Sequence, residues 1–176
     1  MPGVFNAAMG RLVERSGFDA LYISGAGLCN ATAGVPDIGL LTLTEVAQLA
    51  GYIARAVKIP CVVDADTGFG GAENAARTIQ EFERAGLAGC HIEDQEFPKR
   101  CGHLAGKTLV AIEDMKEKIA AAAAARDAVG DLRHLAHHVE HLDHVGVVAK
   151  LRLRHDARRV DVGARVGMRG RRRLRL

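Results

Sequence analysis

Two aspartates two positions apart, Asp64 and Asp66, follow the apolar run Pro60-Cys-Val-Val, and a second acidic pair, Glu93 and Asp94, follows Cys90-His-Ile. On a regular strand, residues two apart face the same side, so Asp64 and Asp66 would converge. Converging carboxylates repel unless a proton or a cation neutralises them. Glu93 and Asp94, ending the next apolar run, could reach the same mouth. Hard oxygen donors with room for water suit Mg2+ better than Zn2+, which favours imidazole or thiolate. The spacing also fits a plainer role, because aspartate after a strand commonly caps the next turn or helix. On spacing alone that plainer role is slightly favoured.

A thiol lies downstream, in Lys99-Arg-Cys-Gly-His103, a polar segment containing Pro98 and Gly102. Lys99, Arg100 and His103 are expected to make Cys101 more acidic if they stay close to it. Such a cysteine can serve as nucleophile or proton donor. The alternative is an exposed loop with an incidental cysteine. Cys29, Cys61 and Cys90 are better suited to inert packing, the latter two inside strands. The four cysteines form no CxxC pair and no close framework, which fits reduced thiols and a cytoplasmic location.

The elements that must carry these groups alternate in type. Asn6 to Ser16 has apolar residues at helical spacing and Gly17 as a stop. Ala20 to Ser24 is a short apolar run ending in Gly25-Ala-Gly27. Thr42 and Glu45 make a capping-box pattern, and behind it Val46, Leu49, Ala50, Ile53 and Val57 share one helix face. Pro60 to Asp64 and Gly89 to Glu93 read as buried strands. Ala72 to Ala85 and Ile112 to Arg126 read as helices, the first with Ala76, Ile79 and Phe82 inward. Repeated strand–helix units with short connections predict a parallel α/β sheet with polar residues at the strand ends, where an α/β barrel carries its chemistry. No GxGxxG follows a strand, which argues against a dinucleotide fold.

Composition divides the chain. Residues 1–127 carry 12 Lys+Arg and 16 Asp+Glu, whereas residues 128–176 carry 12 and 5. All seven aromatic residues precede the break and six of the eight histidines follow it. Two parts are expected: 1–127, and an aberrant Arg/His-rich tail over 128–176. His134, His137, His138, His141 and His144 recur at helical spacing, but without an HExxH they are read as incidental. The arginines at 169–175 could bind nucleic acid nonspecifically; no aromatic is present for stacking, so this ranks last. No apolar run is long enough to span a membrane.

Taken together, PGVFNA, YISGAG, GVPDIGLLTLTEV, VDADTGFG, AARTIQEFERAG, HIEDQ and FPKRCGHLAGK resemble the isocitrate lyase/phosphoenolpyruvate mutase superfamily, most of all its methylisocitrate lyase members, over residues 2–126. The resemblance implies the first half of a (β/α)8 TIM barrel, with a non-homologous basic tail behind it. It implies Mg2+, with Mn2+ as a substitute, held by Asp64, Asp66 and Glu93, the last through water. It implies substrate contacts from Ser24, Gly25, Ala26, Asp37, Gly102 and His103, with Tyr22 assisting at the substrate oxygen and Cys101 as proton donor on a mobile loop. The implied reaction is carbon–carbon cleavage of 2-methylisocitrate to pyruvate and succinate, in propionate metabolism. Small di- and tricarboxylates are the implied ligands, and homotetramers the family assembly. Alternatives are an inactive fragment of a frameshifted gene, or an oxaloacetate decarboxylase- or phosphonomutase-like relative. A half barrel is also expected to leave strand edges open and to aggregate.

Overall fold

Strand residues fall into two classes of burial, and that division positions the site. In the computed structural model, which describes residues 1–128 and 148–152, five strands form one sheet in the order β1-β2-β3-β4-β5. These are β1 (Gly3–Val4), β2 (Leu21–Ile23), β3 (Cys61–Asp64), β4 (Gly89–Glu93) and β5 (Val148–Arg152). The first four are parallel, each joined to the next through helical structure: α1 (Ala7–Arg15), then α2 (Gly25–Gly27) with α3 (Leu43–Ala56), then α4 (Ala72–Arg84). A last helix, α5 (Ile112–Ala128), follows β4. The helices pack in sequence, α1 on α3, α3 on α4 and α4 on α5, along one side of the sheet.

Leu21, Ile23, Cys61, Val63, Cys90 and Ile92 point to the helices and are buried, joining Ile53, Ile79, Phe82 and Leu87 in the core. Their neighbours Tyr22, Val62, Asp64, His91 and Glu93 alternate with them and are only half-buried. Sequence patterning predicts burial on both faces, as in closed parallel sheets. Among the described residues helices cover one face, so the period-two alternation of a one-sided sheet emerges instead. The half-buried face carries the ionisable groups.

The expected helices form within one or two residues of their sequence limits. Asn6 Oδ1 caps α1 by accepting from Met9 N at 2.9 Å. The Thr42–Glu45 capping box at α3 is complete, and Val46, Ala50 and Ile53 are buried on its inner face. In α4, Ile79 and Phe82 are buried as expected, with Ala75 and Thr78 beside them. One element has no counterpart in the sequence reading: α2 runs directly into a π-helical turn, Leu28–Ala33, ended by Gly34 in the left-handed conformation.

β5 also differs from expectation. Val148–Arg152 lies within the stretch read as a tail, yet it pairs antiparallel with β4 along its whole length, from Gly89↔Arg152 to Glu93↔Val148. The outer edge of β4 is therefore covered rather than open. The periodic histidines at 134–144 and the arginines at 169–175 lie outside the described residues. No helix among the described residues is long and apolar enough to cross a membrane.

Candidate active site

Register explains how the polar face assembles. Asp64 pairs with His91 across β3 and β4, and Tyr22 stands one strand over, opposite Val62. His91 Nε2 lies 3.1 Å from Asp64 Oδ1, and the Tyr22 hydroxyl lies 3.1 Å from His91 Nδ1 and 3.2 Å from Nε2. The two rings stack with centroids 5.3 Å apart. Burial, reinforced by Asp64 and then by Glu93 and Asp66, pushes the Tyr22 phenol far above its ordinary value, so it stays protonated.

β3 ends at Asp64, and the next turn does not continue the strand. Asp66 has φ 47° and Phe69 φ 60°, with Gly68 and Gly70 also at positive φ. Aspartate is one of the few residues besides glycine that enter the left-handed region routinely. Here Asp66 N donates to Asp64 Oδ1 at 3.0 Å, so the turn-capping role that spacing favoured is present. Asp66 O in turn accepts from Glu93 N at 2.7 Å, and Lys118 Nζ donates to Thr67 O at 3.2 Å, pinning the turn from β4 and α5.

The turn sends the Asp66 carboxylate to Lys99. Lys99 Nζ lies 2.5 Å from Asp66 Oδ1 and 2.6 Å from Asp37 Oδ1, with its own side chain 1% exposed. Burial disfavours the ammonium, but Asp66, Asp37 and Asp64 outweigh it and hold the Lys99 pKa above that of an ordinary lysine. Burial raises Asp66 against the pull of Lys99, with Asp64 and Asp37 adding like charge. Burial likewise raises Glu93. For Asp64, burial is outweighed by the hydrogen bond and charge of His91, then by Lys99 and the Asp66 N–H, and the carboxyl sits below its ordinary value.

The thiol segment is a loop pinched at its base, where Gln95 bridges to Leu109 and Glu96 N donates to Thr108 O at 2.9 Å. Gln95 Nε2 donates both to Glu93 Oε2 at 2.7 Å and to Arg100 O at 2.9 Å, while Gln95 Oε1 accepts from Arg100 N at 3.1 Å. A Cβ placed on Gly102 would stand 3.4 Å from Glu93 Oε1, so the loop lies against the end of β4. The cationic flank expected around Cys101 is not assembled. Lys99 is taken by the aspartates, and Arg100 Nη1 donates to Ala105 O at 3.0 Å. His103 Nδ1 remains beside the thiol, at 3.8 Å. Cys61 and Cys90 are buried and burial pushes both thiols up to about 12, in line with inert packing; Cys29 is raised to about 11.

The sequence-derived residues thus gather unevenly. Ser24 Oγ accepts from Gly27 N at 3.1 Å at the end of β2. Gly25 lies so close to Asp64 that a Cβ there would stand 2.8 Å from Asp64 Oδ2, leaving room for no side chain. Ala26 follows in the same turn. Asp37 reaches the site as a buried partner of Lys99. Asp64, Asp66 and Glu93 do not form one ligand set: among the described residues no group of three or more His, Cys, Asp or Glu side chains is arranged to hold a metal ion. The reason is visible in the pairing, with Asp64 engaged by His91 and Asp66 by Lys99. The donor chemistry nevertheless fits Mg2+. Asp37, Asp64, Asp66 and Glu93 supply hard oxygens, and the like charge among them leaves an excess that a cation offsets. Sequence reasoning missed His91 and Gln95. His91 was accessible through strand alternation, standing two residues before Glu93; nothing local marks Gln95.

Known proteins give this arrangement its context. The family model described as phosphoenolpyruvate phosphomutase matches residues 1–148. The 2-methylisocitrate lyase of Aeropyrum pernix is 56% identical over 125 residues, which are 71% of this chain and 40% of that protein. A crystal structure of 2,3-dimethylmalate lyase superposes with TM-score 0.70 at 43% identity, covering 73% of this chain and 43% of the other. A phosphonopyruvate hydrolase solved with oxalate and Mg2+ superposes with TM-score 0.64 at 37% identity, covering 71% of this chain and 42% of the other. The chain spans about two fifths of the length of the curated relatives it matches. An α/β sheet of this order, with carboxylates at its strand ends and a family match over most of its length, makes the chain a member of the PEP mutase/isocitrate lyase superfamily.

Proposed function

We propose that the chain carries the first half of the barrel of a Mg2+-dependent carbon–carbon lyase acting on 2-methylisocitrate or a closely related hydroxy acid. The observation that supports this best is the tie between the thiol loop and the strand-end carboxylates, through Lys99 to Asp66 and through Gln95 to Glu93. It keeps the Cys101 segment next to the strand-end carboxylates to which this reading gives the metal and the substrate. Residues 1–127 carry this chemistry in the reading; 128–176 are proposed as a separate tail, and the assembly as a homo-oligomer in the cytoplasm.

Asp64 is the residue best placed to hold the ion directly, with Asp66 and Glu93 contributing directly or through water. The ion would supply positive charge that lowers the cost of a developing alkoxide on a hydroxy acid. The chain's own groups do the rest. Tyr22, kept protonated by burial, donates a hydrogen bond to the reacting oxygen. Ser24, Gly25 and Ala26 line the adjoining wall, and Gly25 is what lets substrate and Asp64 approach. Asp37, Gly102 and His103 bound the side where the loop lies. When the carbon–carbon bond breaks, its electron pair stays on the dicarboxylate fragment. The substrate hydroxyl gives up its proton to solvent as the carbonyl of the 2-oxo acid forms, the Cys101 thiol protonates the dicarboxylate carbon to yield succinate, and the thiolate regains a proton from solvent, so none is gained or lost overall.

The test is Mg2+-dependent release of pyruvate from 2-methylisocitrate by the full chain, with isocitrate and oxaloacetate as competing substrates. Turnover abolished by chelation and restored by Mg2+ supports the reading. Mn2+ binding without turnover on any of the three acids would leave a binding-competent but inactive chain, the alternative expected of a fragment.

A further inference from the structure

α5 buries a stripe made of Met115, Lys118, Ala122 and Ala125, at helical spacing. Three of these are apolar; the fourth is a lysine only 9% exposed. Among the described residues no carboxylate lies within ion-pair distance of it. Burial lowers its pKa, and the charge of Asp114, one turn earlier on α5, opposes this only in part. Burying an ammonium without a carboxylate partner costs stability, and a methionine would fill the same place without that cost. What Lys118 does make is a hydrogen bond from Nζ to Thr67 O, at 3.2 Å.

Thr67 stands between Asp66, at φ 47°, and Gly68, at φ 86°. Left-handed residues other than glycine persist where their surroundings over-determine them. The backbone of this turn is held residue by residue. Asp66 O accepts from Glu93 N at 2.7 Å, Thr67 O accepts from Lys118, and Gly68 N donates to Ala65 O at 2.8 Å. Gly68 O lies 3.2 Å from the Thr78 hydroxyl, but that hydroxyl has a single proton and Asn74 O is nearer, at 2.8 Å. Lys118 is therefore the main side-chain tie from the helix layer to the turn. We propose that Lys118 is a positioning residue of the acidic site: its ammonium, reaching from α5 to the Thr67 carbonyl, holds the left-handed turn that aims the Asp66 carboxylate, and does so at a cost to the stability of the fold. The use of Asp66 in catalysis rests on the lyase reading above; the holding of the turn does not. Lys118 acts through the turn and not on substrate.

Lys118→Met separates holding the turn from filling the core. The experiment reads amide hydrogen exchange of the full chain by nuclear magnetic resonance, together with its urea midpoint. In Lys118→Met the amides of Asp66, Gly68 and Glu93, all bonded within or onto the turn, should exchange about tenfold faster or more, as loss of a hydrogen bond to a charged group predicts. Those of Leu21 and Ala88, bonded to Pro60 O and Cys61 O at the opposite end of the sheet, should keep their rates. The urea midpoint should stay or rise. Lys118→Arg, which keeps a cationic donor, should restore slow exchange at the turn. A lowered midpoint in Lys118→Met, or a variant that does not fold, makes Lys118 an ordinary core contact and overturns the proposal. So does unchanged exchange at the turn, or exchange in Lys118→Arg as fast as in Lys118→Met. With 2-methylisocitrate and Mg2+, Lys118→Met should also lower kcat about tenfold or more. Undiminished turnover in a variant whose turn exchanges fast overturns the positioning role. Absence of pyruvate from the unmodified chain overturns the lyase reading alone, and the exchange rates then decide whether Lys118 holds the turn.

Discussion

His91 and Asp64 stand opposite one another on neighbouring strands, and the imidazole Nε2 lies 3.1 Å from the carboxylate oxygen. This contact, with the Asp66 N–H on the same oxygen, fixes the orientation of the carboxylate proposed to hold the metal. Groups that orient a ligand in this way typically contribute 10–100-fold to metal affinity. His91→Phe should therefore weaken Mn2+ binding by about 10–100-fold while the far-ultraviolet circular dichroism stays unchanged. An affinity equal to that of the unmodified chain would remove His91 from the site.

Cys101 is assigned a proton-transfer step and no part in holding substrate. Cys101→Ser should lower kcat by about 100-fold or more and shift KM by only a few-fold. Steady-state rates with 2-methylisocitrate separate the two quantities. Equal losses in binding and turnover would mean that the thiol contacts substrate rather than delivering the proton.

Gly25 packs its backbone against the Asp64 side chain. The methyl group of Gly25→Ala would stand 2.8 Å from Asp64 Oδ2, so either the carboxylate or the turn must shift. The expected cost is about 1–3 kcal/mol of stability, read from urea unfolding, together with weaker Mn2+ binding. Unaltered values for both would show that the turn yields freely.

Glu45 ties the chain's stability to acid pH. The Thr42 backbone N–H, then the Thr42 hydroxyl, hold its carboxyl below the ordinary 4.5 in the folded chain. A depressed folded pKa adds stability above the unfolded value, near pH 4.5, and loses it as pH falls through the folded value. The urea midpoint of the unmodified chain should fall as pH drops below 4.5, and Glu45→Gln should reduce that dependence. A pH profile identical in the two chains would contradict the capping role.

Phe82 is fully buried between α4 and the sheet, edge-on to Phe69 with ring centroids 6.4 Å apart. Phe82→Ala should cost about 3–5 kcal/mol, as a cavity in a packed core does. A loss below about 1 kcal/mol, far under that range, would show that the helices and sheet do not fold as one unit.

Much of the scaffold was legible because its signals are local. The capping box at Thr42, the apolar face from Val46 to Ile53 and the three longest parallel strands all follow from short-range spacing. The candidate site was legible in its residue types, since Asp64, Asp66, Glu93 and Cys101 stand out at the ends of apolar runs. Their pairing was not. Regular strand geometry puts Asp64 and Asp66 side by side, but the left-handed turn at Asp66 breaks that geometry and hands the second carboxylate to a lysine 33 positions away. The strand Val148–Arg152 was likewise invisible, because its partner is an edge of β4 that no neighbouring residue announces.

From its order of residues alone, this protein is committed to alternating strands and helices, to carboxylates at the strand ends and to a thiol on the following loop, because helix caps and apolar spacing act over a few residues. Which charge neutralises which was decided only when the chain folded. Ion pairs depend on distance in space and on exclusion of water, and the burial of Lys99 between Asp37 and Asp66 exists only once three separate segments have met.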